Sequence, residues 1–177
     1  MTKAEIITAS EKIFRQFSDT CTGIDETAMF RKPDEKWSVA ENIKHLVIST
    51  KMTRLAYALP KFMVRWVAGT PNRPSRTCEE LKAKYYKKLS EGGRASARFV
   101  PKPIEIKYGK EKLMDEWERS TGKYLQSLAK NRTEADLDNY LARHPLLGRM
   151  TLRELCCFTI FHTEHHLKTI QTLTQLQ

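Results

Sequence analysis

The chain has 177 residues, with 31 Lys and Arg against 21 Asp and Glu, for a net charge of +10. At 40% hydrophobic and 29% charged content, with three tryptophans, it is too apolar for a disordered protein and long enough for one domain, residues 1 to 177, with its own core. No apolar run reaches the roughly 20 residues of a membrane span and no signal-peptide core is present, so the expectation is a cytoplasmic protein with no membrane partner.

The elements follow from hydrophobic period and from breakers. Residues 3 to 20 place Ile6, Ile13, Phe14 and Phe17 at helical spacing, which predicts an amphipathic helix. A loop follows through "TGIDE" and "RKPDEK". "WSVAENIKHLVISTKMTRLAYAL" then predicts a second long helix, which Pro60 interrupts or kinks. "AGTPNRPSRT" reads as a long connection, and Leu81, Tyr85 and Leu89 predict a third helix over 78 to 90. "EGGRASARFVPKPIEIKYG" breaks the pattern with three glycines and two prolines, leaving room for a short extended segment. Leu113, Trp117, Tyr124, Leu125 and Leu128 mark a fourth helix over 110 to 130. "HPLLGRM" reads as a loop, and a last helix runs from 152 to 174. With no run of paired strands, the expected class is all-α: a bundle of four long helices with one shorter accessory helix.

Cys21, Cys78, Cys156 and Cys157 have the spacing of no disulfide framework, and the last two are sequence neighbours, a poor geometry for pairing. Much of the basic charge falls between Lys82 and Lys112, where Tyr85, Tyr86, Phe99 and Tyr108 are interleaved. That is the composition of a single-strand nucleic-acid surface. No reading head accompanies it, so a solvated face is the preferred account and nucleic acid is not an expected partner.

Three of the five histidines lie within "HTEHHLKTIQ". Both helices of interest open on a capping box, "SVAE" from Ser38 and "TLRE" from Thr151, which fixes where each begins. His45 and His162 then sit roughly 10 and 16 Å along their axes, well inside regular helix. His162 and His166, four apart, share a face with Leu155, Ile170 and Leu173, so they are polar groups on an inward stripe. His165 turns to another face, and Glu164 lies nearly opposite the pair. The order "HTEHH" is therefore not the zinc-protease motif, in which Glu directly follows the first ligand. A lone inward pair is compatible with packed, hydrogen-bonded histidines as well as with metal; a third imidazole from another helix would favour a divalent ion.

"WSVAENIKHL" together with "HPLLGRMTLRELCCFTIFHTEHHLKTIQ" resembles the DinB/YfiT-like metalloenzyme superfamily. The resemblance covers nearly the whole chain. It implies a four-helix bundle with long crossover connections and a metal held by His45, His162 and His166, the last two being the pair that helix geometry selects. It also implies activities such as thiol-dependent S-transfer or hydrolysis of a small molecule, with Zn, Ni, Mn or Fe and a low-molecular-weight thiol as cofactors. Glu41, Ser49, Thr159 and Thr169 are candidates, by spacing, to orient the imidazoles. A homodimer through an exposed helix face is compatible with such a bundle. The competing expectations are an inert helical scaffold and a nucleic-acid binder.

Overall fold

The computed structural model describes residues 1–34 and 36–175. Four long helices form the body: α1 (Lys3–Thr22), α3 (Val39–Ala58), α6 (Lys110–Asn131) and α8 (Leu152–Gln175). α3 packs on α6 and α8, and α1 packs on the same two, so the ring order is α1, α6, α3, α8. Helices α1 and α3 are thus diagonal, as are α6 and α8. That order requires the long crossover connections. The loop expected over 31–36 is present, apart from residue 35, which lies outside the described residues.

Each long helix buries the stripe its sequence presents. Phe17 meets Trp117 at 4.7 Å between ring centroids, and Phe14 meets Trp117 edge-on at 5.5 Å. The Trp117 indole N–H donates to Ser18 Oγ at 3.0 Å, so the largest core side chain is both packed and satisfied. Truncating such a residue typically costs about 3–5 kcal/mol.

The helix starts follow the capping logic. The Ser38 hydroxyl accepts from Glu41 N and the Glu41 carboxylate accepts from Ser38 N at 2.8 Å. At the head of α8, Thr151 and Glu154 exchange the same two bonds at 3.2 and 3.0 Å. Glu154 does more: it is fully buried, takes both guanidinium nitrogens of Arg73 at 2.6 and 2.9 Å, and accepts from Arg76 N at 2.7 Å. Burial pushes this carboxyl up, but Arg73 and the two amides more than offset it and hold it below the usual carboxylate range. The connection after residue 68 is thereby fastened to the start of α8.

Several short elements depart from expectation. Pro60 ends α3 instead of kinking it, because the preceding Leu59 is extended, and a new helix α4 (Lys61–Ala68) follows. Phe62 and Trp66 on α4 face solvent. Helices α2 (Glu26–Phe30) and α7 (Asp136–Asn139) are too short to leave a periodic signal. α5 (Cys78–Ser90) has the predicted bounds. The segment after it holds two 3-10 turns, Ala97–Phe99 and Ile106–Tyr108, and no strand. "HPLLGRM" is the heart of a hairpin, β1 (Leu141–His144) paired antiparallel with β2 (Gly148–Thr151). Its turn is held by His144, whose Nδ1 accepts from Leu146 N and Leu147 N at 3.2 and 3.1 Å.

The hairpin and the loop after α5 touch at Gly93. A Cβ there would sit 2.6 Å from the Lys88 carbonyl and 2.7 Å from Leu146 Cδ1, so only glycine fits. Cys78 and Cys157 form a disulfide between α5 and α8, across a sequence separation of 79. This corrects the expectation drawn from cysteine spacing, since the pairing follows from α5 lying against α8. Cys156 is free and buried. No helix among the described residues is long and apolar enough to cross a membrane.

Candidate metal centre

His45 comes from the middle of α3, and His162 and His166 from the middle of α8, two helices that pack side by side. All three are buried, at 5–6% exposure. One nitrogen of each lies within 4.8 Å of the others. His162 Nε2 stands 3.2 Å from Nε2 of His45 and 3.2 Å from Nε2 of His166. The inward pair and the third imidazole therefore converge on one point.

The far side of two rings decides their tautomers. His45 Nδ1 lies 2.8 Å from the Phe99 carbonyl, which can only accept, so Nδ1 carries the proton. His166 Nδ1 lies 2.7 Å from Asn42 Oδ1. The Asn42 amide is oriented by its own donation from Nδ2 to the Ser38 carbonyl at 2.8 Å, leaving Oδ1 as acceptor for His166. Both Nε2 atoms are consequently bare lone pairs aimed at the common point. His162 can offer one proton between them, so the protein alone leaves at least one buried acceptor unmatched.

A cation resolves that mismatch. For the two pairs that share His162, a nitrogen spacing of 3.2 Å subtends about 103° at a metal–nitrogen distance of about 2.05 Å, close to tetrahedral, and all three nitrogens lie within 4.8 Å of one another. Burial and the neighbouring imidazoles hold His162 and His166 well below the usual imidazole range. His45 is also lowered by burial, against the Phe99 carbonyl, so all three rings are neutral, the form a metal requires. The three-His group could hold a metal ion. Trp37 lies 5.0 Å from His45 and Phe158 is stacked 4.7 Å from His162, giving the site an apolar jacket.

The group opens into a cavity of about 260 Å³. Its walls come from α3, α5, the loop around Phe99, the hairpin turn and α8. His165 lies in the wall but outside the converging trio. Glu164 points away and pairs with Lys82 at 2.9 Å.

The residues that orient the imidazoles differ from those expected. Glu41 is occupied by its cap, Thr159 donates to the Leu155 carbonyl and Thr169 to the His165 carbonyl. Ser49 lies in the cavity wall without bonding a ring. Asn42 and the Phe99 carbonyl take the role instead. Asn42 lies three residues before His45 on α3, yet it serves His166 on α8, a relation visible only once the helices are packed.

The aromatics of the basic segment are mostly engaged inside the fold. Tyr85 and Phe99 face the cavity, and the Tyr108 hydroxyl donates to Glu116 at 2.5 Å. The family model described as DinB superfamily matches residues 9–170. No curated protein matches the chain.

Proposed function

The chain belongs to the DinB superfamily, and on that footing we propose that it is a metal-dependent enzyme acting on a small molecule, with His45, His162 and His166 as the ligands. The observation that carries this reading is the convergence of three neutral imidazoles, two with their tautomers locked from behind, at the floor of a cavity. A divalent ion there would supply a Lewis acid able to activate a thiol or water or to polarise a substrate carbonyl.

The chain's own side chains define the rest. Among the described residues no cysteine or carboxylate lines the cavity. Cys21 and Cys156 are pushed up by burial to about 12 and about 11, which leaves their thiols inert. This lining suits a nucleophile supplied from solution, as a low-molecular-weight thiol or water, and so favours S-transfer or hydrolysis. Trp37 and Phe158 keep bulk water from the imidazoles, and Asn42 and the Phe99 carbonyl keep their lone pairs aimed.

The test is elemental analysis of protein dialysed against zinc, nickel or manganese. About one equivalent of metal is expected in the wild type and in His165→Ala, and none in His45→Ala, His162→Ala or His166→Ala. The melting temperature should rise with metal only where metal is retained, because a ligand bound by the folded state alone stabilises it. A wild type that binds no ion and melts indifferently would leave an inert scaffold.

A further inference from the structure

The outer half of the cavity differs from its floor. Arg94 and Arg98 from the loop after α5, and Arg143 from the hairpin, all line it. Among the described residues none of the three has a carboxylate partner, although arginines elsewhere pair with Glu154, Asp138, Glu134 and Asp115. Among the described residues no Asp or Glu lines the cavity. Three uncompensated guanidiniums at the mouth of a low-dielectric cleft focus a positive potential into it. That field is felt within the wall: after burial, the charge of Arg98 is the next influence lowering His144.

Between the arginines and the imidazoles the lining is apolar and aromatic, with Phe99, Phe158, Leu155, Tyr85 and Leu89. Arg98 stacks over the Phe99 ring at 5.0 Å, which leaves the guanidinium's donor edges free for a ligand. Ser96 lines the same cavity, and its buried hydroxyl has no protein partner among the described residues.

We propose that the cavity selects an anionic small molecule with an apolar body, its carboxylate or phosphate held by Arg94, Arg98 and Arg143 and its reacting end directed at the three imidazoles. The head group meets planar donors that suit either oxyanion, the Ser96 hydroxyl offers a further hydrogen bond, and the body lies on the aromatic wall. This inference rests on the reading of the floor as the reacting centre. The anion site itself requires only the arginines.

The experiment is calorimetric titration of the full chain, dialysed against zinc, with 4-phenylbutanoate, 3-phenylpropyl phosphate and the neutral 4-phenylbutanamide. At least one anion is expected to bind at least about tenfold tighter than the amide, by a margin that shrinks as salt rises. The tighter of the two anions identifies the natural head group. The combined variant Arg94→Gln, Arg98→Gln, Arg143→Gln should bring the anions within about twofold of the amide while leaving the amide's affinity and the melting temperature unchanged. Failure of both anions to bind, equal affinity for anion and amide in the wild type, or an advantage that persists in the triple variant overturns the proposal; the last would place the anion at the imidazoles. Zinc content of each sample separates the two readings. Protein without zinc that keeps an arginine-dependent advantage loses the metal centre only, and zinc-loaded protein without the advantage loses the anion site only.

Discussion

Replacing Asn42 with leucine tests whether the imidazoles are held as described. Leucine has nearly the same volume, so packing is retained while the acceptor for His166 Nδ1, at 2.7 Å, disappears. The His166 proton must then either stay on Nδ1 as a buried unsatisfied donor, at about 1–3 kcal/mol, or move to Nε2 and block the lone pair that faces the other rings. Either route penalises the metal-bound state. The expected loss of zinc affinity is about 10- to 100-fold, or about 1.4–2.8 kcal/mol, which agrees with the cost of the orphaned donor. The assay is competition against a chromophoric chelator at pH 7, with Asn42→Asp alongside; that variant keeps the acceptor and should stay within about threefold of wild type. A folded Asn42→Leu protein that binds zinc within twofold of wild type would refute the tautomer argument.

Further predictions concern stability. His144 falls from the ordinary 6.5 to about 4 through burial and the nearby Arg98 charge. The unfolded chain therefore binds its proton first, and the stability from the neutral ring is complete above pH 6.5 and drains away as pH falls towards 4, by up to about 3 kcal/mol. Urea midpoints of metal-free protein measured over that window should fall, and His144→Asn should flatten the slope; equal slopes would show that the ring contributes nothing. Glu154→Gln should cost about 3 kcal/mol, the low end for breaking a buried ion pair, because the Arg73 side chain keeps 31% exposure; a denaturation curve shifted by less than about 1 kcal/mol would contradict the hub at the head of α8. The Cys78–Cys157 bond closes a long loop, for which chain entropy sets a ceiling near 4.5 kcal/mol and typical gains are about 2–4 kcal/mol. Oxidised protein should melt well above the same protein in reductant, and coincident melts would mean that the link adds no stability.

What could be read from the sequence was whatever local physics fixes. Helical period and the Ser38 and Thr151 boxes located α3 and α8 to within two residues, and the inward stripe singled out His162 and His166. The resemblance supplied His45, and packing of α3 on α8 brought it to the pair. The misses share a cause. Asn42 reaches His166 across a helix interface, the Phe99 acceptor is a main-chain atom that no residue code reveals, and the hairpin turn is closed by a histidine instead of by an Asn-Gly signal. α4 lay hidden behind Pro60, and the Cys78–Cys157 pair depends on how α5 is carried across the bundle.

The loop that walls the cavity reaches the ligand set through a carbonyl oxygen, that of Phe99 on His45. Every amino acid supplies that atom, so the side chain at position 99 can be exchanged without removing the acceptor behind His45. The ligands and the outer wall thus sit on separate parts of the chain: α3 and α8 carry the imidazoles, while the loop and hairpin carry the side chains that would decide what is admitted.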